Sequence, residues 1–242
     1  MTAHLPLAPR TAHPAAELLD YYVVTDEHGD PEGLVVEEFA YNDDHTAAGI
    51  DGAAWTREER LWWSSADLTR RMRADPELRR RVSATTRREA EAVYRRLSGD
   101  DLPDEPNLRL SFRDRLALNT AAPLLLGPPE KPEGFTEKRV YRILFAGELT
   151  NDHLHDLRHL WRMTIPDDGP APTRVAGTAH AHIGDDVFTW DLRRIGPRVA
   201  WSLDVTVHLR SPADDTVRSL LRELTTPMRH AGLIPVTVER FS

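Results

Sequence analysis

A chain of 242 residues and 27.4 kDa has room for one large domain or two small ones, and 40% hydrophobic with 29% charged residues is the balance of a folding sequence. It contains no cysteine, which excludes disulfides, thiol nucleophiles and thiolate metal sites. The formal net charge of -8 argues against non-specific nucleic-acid binding by the whole surface. No run approaches the ~18 apolar residues of a membrane span. The opening MTAHLPLAPRTAHPAAELL lacks the apolar core of a secretory signal, so a soluble cytoplasmic protein is expected.

After a polar leader, Tyr21-Tyr22-Val23-Val24, a turn-rich segment from Asp26 to Gly33, and Leu34 to Phe39 predict a β-hairpin with a long loop. Ser64 with Asp67, the pair Asp75-Pro76, and Thr86 with Glu89 carry helix-start chemistry: a side-chain oxygen accepts a first-turn N–H, and proline suits the first helical position. With Gly99 as a stop, they predict three short helices within 65–98. Leu108, Leu110 and Phe112 then alternate like a strand, followed by a helical or irregular stretch from Arg115 to Leu126. Three prolines and two glycines between Leu126 and Gly134 interrupt both helix and strand hydrogen bonding. They predict a linker over 127–134, dividing a hairpin-plus-helices module, 1–126, from a second domain, 135–242.

The second domain opens with the β-rich run Val140 to Phe145, and Thr150 then begins a helix with the apolar stripe Leu154, Leu157, Leu160 and Trp161. Three strands are expected over 174–183, 187–195 and 199–209, separated by turns short enough for hairpins. Ser211-Pro212-Ala213-Asp214 starts a helix that buries Val217, Leu220, Leu221 and Leu224, contains Pro227 and stops at Gly232. Ile234 to Val238 closes the domain as a strand. The predicted fold class is α+β, its second domain a two-layer β-α-β-β-β-α-β sandwich with both helices on one face of a mostly antiparallel sheet. In element order this resembles the ferredoxin-like plan with an extra strand. The resemblance carries no functional motif.

There is no glycine-rich phosphate loop, no G-x-S-x-G elbow and no H-E-x-x-H. Histidine placement is the remaining chemical signal. His155 and His159 fall opposite the apolar stripe of their helix, towards solvent. Strand alternation puts Ala179, Ala181, Leu203, Val205 and Val207 under the helices, which leaves His180, His182, His208 and Asp204 on the open face of the sheet. Imidazole and carboxylate there suit a divalent metal or acid–base pair, and equally a solvated polar face or an interface. His180-Ala181-His182 followed by Asp185 resembles part of a metallohydrolase ligand cluster, without its further acidic and histidine positions.

Charge is the second signal: 29 arginines stand against only two lysines, and ten of the arginines lie between Asp67 and Leu97 with five acids. Arg70, Arg71, Arg79, Arg80, Arg81, Arg87 and Arg88 are the candidate contacts for an anion or an acidic partner, a weak polyanion included. The alternative is a set of solvated helix faces with local ion pairs. The leading functional expectation is a non-catalytic accessory or binding protein with a protein partner. The two alternatives are a metal-dependent or acid–base enzyme using the His/Asp group, and a small-molecule sensor binding at the domain junction.

Overall fold

The computed structural model describes residues 19–119, 132–165, 175–196 and 200–241. The leader, residues 127–131 of the expected linker, and the end of the stretch from Arg115 to Leu126 lie outside the described residues. The fold is α+β, with one antiparallel sheet in each half.

The first half runs β1 (Asp20–Thr25), β2 (Pro31–Tyr41), β3 (Ala47–Thr56), β4 (Trp62–Ser64), α1 (Ala66–Ala74), α2 (Pro76–Arg80), β5 (Val82–Thr85), α3 (Arg87–Ser98), α4 (Glu105–Arg109) and β6 (Leu116–Ala117). The expected β1–β2 hairpin forms, and it sits within a six-stranded sheet of order β4-β3-β2-β1-β5, with β6 also paired to β3. Both faces of this sheet are covered. Tyr21, Leu34, Val36 and Trp55 pack with Ala90 and Tyr94 of α3 and Leu108 of α4. Tyr22, Val24, Val35 and Ala54 pack with Met72 of α1, Leu78 of α2 and Ile234 from the other half. Burial on both faces explains why Tyr21 to Val24 and Leu34 to Val36 are apolar without alternation.

The hairpin-plus-helices picture therefore lacked strands, β3 above all. Gly49 and Gly52 weaken the strand signal of β3. Their role is close approach: a Cβ on Gly52 would lie 2.6 Å from Ser65 Oγ and 2.8 Å from the Val36 carbonyl, and one on Gly49 would lie 2.9 Å from the Leu116 carbonyl. Gly52→Ala is expected to destabilise by roughly 1–3 kcal/mol, because backbone as well as a side chain must move. Urea unfolding would show it, and an unchanged midpoint would contradict the packing argument.

The three predicted helices are present, with β5 between the second and third. Asp75 accepts from the Glu77 and Leu78 amides, Thr86 and Glu89 complete a capping box, and Gly99 takes φ 86°. Two signals read differently. The N-cap of α1 is Ser65, whose hydroxyl bonds Thr69 Oγ1 at 3.1 Å, while Ser64 Oγ accepts from the Asp114 amide at 2.9 Å. Leu108 belongs to a helix, not a strand, because Asp104 accepts from the Asn107 amide and nucleates α4.

The second half runs β7 (Glu137–Ala146), α5 (Asn151–Leu160), β8 (Val175–Ile183), β9 (Asp186–Ile195), β10 (Ala200–Leu209), α6 (Asp215–His230) and β11 (Ile234–Arg240). Its sheet has the order β11-β7-β10-β9-β8, antiparallel throughout. Tyr141, Ile143, Phe145, Leu192, Leu203 and Val205 form one core with Leu157 of α5 and Val217, Leu221 and Leu224 of α6, so both helices cover the same face. Within the expected α5 stripe Leu160 is an exception at 59% exposed, and Trp161 instead meets Trp190 edge-on at 6.3 Å.

A candidate ligand site at the junction of the two halves

The halves meet through charged side chains that are buried, which physics permits only when each is paired. In the β1–β2 register Asp20 lies opposite Glu37, on the face that looks towards α1 and the second half. Arg73 of α1 grips Glu37 with two bonds of 3.1 and 2.8 Å and donates from Nε to the Pro235 carbonyl of β11 at 2.8 Å. Arg229 of α6 pairs with Asp20 at 2.8 Å, donates to the Tyr22 hydroxyl at 3.0 Å and the Tyr21 carbonyl at 3.2 Å, and lies 4.8 Å from the Tyr22 ring centre. Glu37 is 2% and Arg229 5% exposed, so the Arg73–Glu37 pair is sealed from water, while the Asp20 side chain is 19% exposed at the edge of the latch. Burial is the dominant influence on Asp20 and holds its carboxyl above the usual range despite Arg229, while burial also pushes the Tyr22 phenol up to about 12. On Arg73 burial acts downward, but Glu37 outweighs it and the guanidinium stays charged.

A second contact is made by the turn between β2 and β3. The Asp44 carboxylate accepts from the Thr46 amide and hydroxyl, and His45, at φ 67°, is buried with Nε2 3.1 Å from Asp214 Oδ2. Arg139 of β7 donates to that same Asp214 carboxylate at 2.5 Å and to Glu137 at 2.8 Å, and the Tyr141 hydroxyl donates to the Asp44 carbonyl at 3.0 Å. These bonds explain why the Ser211 to Asp214 signal gives a helix starting only at Asp215, with no side-chain cap bond: the Asp214 carboxylate is held elsewhere.

The hydrogen bond from Arg139 holds Glu137 below its usual range; for Asp214 burial acts upward, but bonds from Arg139 and His45 outweigh it and also leave it lowered. A carboxyl depressed on folding adds stability that is complete above its unfolded pKa and is lost as pH falls through the folded value. Arg139→Met is thus expected to cost roughly 2 kcal/mol at neutral pH, a discounted value because Glu137 and Asp214 are 34% and 27% exposed. The difference from the unmodified protein should shrink as pH falls from about 5 to about 2. Denaturant midpoints across that range check it, and a pH-independent difference would contradict it.

Between these two contacts lies a cleft of about 200 Å³, lined by Asp20, Glu38, Phe39 and Tyr41 from the first half and by Arg218, Arg222, Thr225 and Thr226 from α6. The α6 residues recur at helical spacing and so form one face. Phe39 and Tyr41 stand 5.8 Å apart, and the Arg218 guanidinium lies 5.1 Å from the Tyr41 ring centre while donating to the Asn42 carbonyl at 3.2 Å. Burial pushes the Tyr41 phenol up to about 12, so its hydroxyl is a donor at neutral pH. Polar groups converging beside two rings give the cleft the chemistry of a small-molecule site.

The residues singled out from sequence lie elsewhere. His180, His182, His208 and Asp204 do share the face of the second sheet opposite α5 and α6, and in register His182 stands beside Val187 and Val187 beside His208. Asp204 pairs with Arg142 at 2.7 and 2.9 Å and with Arg193 at 3.0 Å, and the His208 ring lies 5.2 Å from Phe135. Among the described residues no group of three or more His, Asp or Glu side chains comes together as a metal site. His155 and His159 are exposed.

The arginine-rich stretch is more paired than its local count implies, because acids outside it, Glu32 and Asp101, also reach it. Arg81 meets Glu32 at 2.5 Å, and Arg95 meets Asp101 at 2.7 Å. Arg70 pairs with Asp67, Arg80 with Glu77, and Arg87 with Glu91 and the Tyr21 hydroxyl. Arg79 turns to the carbonyls of Met72 and Arg73, while Arg71 and Arg88 are exposed.

Sequence reasoning missed the junction. Tyr21, Tyr22, Phe39 and Tyr41 read as hairpin packing, and Arg73 as one more surface charge. One usable signal was Glu37, a charge directly following the buried run Leu34-Val35-Val36. The described residues contain no helix long and apolar enough to cross a membrane. Comparison with protein-family models, curated proteins and solved structures finds no match to this chain, so the likeness to the ferredoxin-like plan remains one of element order.

Proposed function

We propose that the protein is a non-catalytic binding protein whose small-molecule ligand sits in the cleft between its halves. The observation that carries this reading is the cleft itself, where polar groups of α6 face two aromatic rings and two carboxylates from β1 and β2. A ligand there touches both halves at once, beside the buried Asp20–Arg229 pair, so its binding free energy adds to the docking of one half on the other. The rings supply apolar area, and the guanidinium and hydroxyl groups supply orientation. The test is a screen of small fragments of mixed charge against the full chain, followed through amide resonances. Hits whose shifts saturate and map to Phe39, Tyr41, Arg218, Arg222 and Thr226 support the reading. Hits scattered over the surface, or none, reject it.

A further inference from the structure

We infer that the groove between α5 and α6 takes a small organic cation, a primary ammonium on a flat apolar body, with the ammonium held by Asp156 and the neighbouring imidazoles and the body laid on Leu157 and Leu160. The groove is a second site. It shares no lining residue with the junction cleft.

Helix geometry builds the groove. On α5, His153, Asp156, Leu157 and Leu160 recur at spacings of three and four and so form one stripe, and Pro227, His230 and Ala231 at the end of α6 do the same. Pro227 and Ala231 are short side chains, so α6 leaves open the space beside the two leucines, about 440 Å³. That lies within the ~300–1,000 Å³ of small-molecule sites. Leu157 is buried at its base, while Leu160, 59% exposed, offers apolar surface that the fold itself does not cover.

Charge decides the sign. Asp156 is the one carboxylate lining the groove, and it is exposed and makes no hydrogen bond or ion pair with another side chain among the described residues. The two arginines adjacent in sequence to lining residues are committed elsewhere: Arg158 donates to the Ala176 carbonyl of β8 at 2.8 Å, and Arg229 pairs with Asp20 at 2.8 Å. From the first half Glu89, at the start of α3, lies within electrostatic reach of His230 and is negative as well.

An apolar group laid on the leucines strips water from Asp156, which costs free energy unless the ligand brings a charged donor. An anion would meet that carboxylate directly. A primary ammonium has three donors, and a carboxylate with neutral imidazole nitrogens supplies acceptors for them. The imidazoles are those of His153, His159 and His230, which bring flat rings to the same opening. A metal ion is not the occupant that fits, since no three ligating side chains among the described residues come together to hold one.

The experiment uses probes with one common ring and different ends: tryptamine, tryptophol, indole-3-acetate and N,N,N-trimethyltryptamine. Each is titrated into the full-length protein at pH 8, where an imidazole is ordinarily neutral, with amide resonances as the readout. Tryptamine is expected to shift His153, Leu157, Leu160 and Ala231 saturably and to bind about fivefold more tightly than tryptophol, the gain of a charge pair at an exposed site. Indole-3-acetate should bind most weakly, and the trimethylated probe, which has no ammonium donor, should fall back to tryptophol. Asp156→Asn should abolish the preference for tryptamine and Asp156→Glu should keep part of it. Leu160→Ala should weaken tryptamine and tryptophol alike by roughly threefold. Both positions are exposed, and the remaining resonances of each variant show that it is folded.

Tryptophol or indole-3-acetate binding as tightly as tryptamine would overturn the cation assignment, as would an unchanged preference in Asp156→Asn. Equal binding of the trimethylated probe would overturn the primary ammonium. Groove resonances that move with protein concentration alone would mean that a second copy of the chain fills the groove, and would overturn the proposal. Shifts confined to Phe39 and Tyr41 would overturn it while leaving the junction reading standing, and no shift with any probe would overturn it outright.

Discussion

Arg73→Met is expected to lower the stability of the whole chain by about 3–5 kcal/mol, the largest loss from a single side chain at the junction. The reason is what the change leaves behind. Glu37, 2% exposed, would be left in a buried site with Asp20 as its cross-strand neighbour and no bidentate partner. The carbonyls of Pro235 and Thr69 would each lose a donor as well. Glu37→Gln placed in the Arg73→Met background removes the stranded charge, so the double variant should be more stable than Arg73→Met alone. Denaturant unfolding of the four proteins of this cycle measures the coupling. A loss below about 1 kcal/mol for Arg73→Met would mean that water reaches Glu37 and that the latch is not sealed.

Arg229→Met is the second large effect, expected at about 3 kcal/mol near neutral pH, somewhat smaller because the Asp20 side chain is 19% exposed. It also carries a pH signature. The Asp20 carboxyl is already held above its ordinary value of 3.8 by burial, and removing Arg229 takes away the largest opposing influence, so it rises further. A carboxyl raised on folding binds its proton more tightly in the native state, so stability falls as pH rises from the unfolded pKa through the folded one. The variant should therefore be closest to the unmodified protein near about pH 4 and furthest from it near about pH 7. Asp20→Asn in the Arg229→Met background should abolish that trend. A deficit that does not change with pH would assign the loss to the packing of Arg229 on the Tyr22 ring instead.

Most of the secondary structure was legible along the chain, because its signals are local. The capping box of Thr86 and Glu89, the Asp75-Pro76 start, the Gly99 stop and the alternation through β8 and β10 depend on residues within a turn or a strand of each other. The same alternation correctly put His180, His182, His208 and Asp204 on one face. β3 was not legible, since Gly49 and Gly52 answer to Arg115, Leu116, Ser65 and Val36, which are distant in sequence or on another strand. Nor was the start of α6, where Asp214 leaves the helix for Arg139 and His45.

By itself the sequence determined the element order of the second half, the β1–β2 hairpin, the start of α2 and both ends of α3, since hydrogen-bonding and rotamer preferences act over a few residues. Only the tertiary structure decided which charges matter. Arg70 and Arg73 stand three residues apart in one helix, yet Arg70 is solvated beside Asp67 while Arg73 is buried on Glu37. Whether a guanidinium is a surface charge or a latch depends on the dielectric around it and on an acid 36 residues away in the chain. That environment exists only once α1, β2 and β11 have come together, which is why the junction and its cleft belong to the fold and not to any motif.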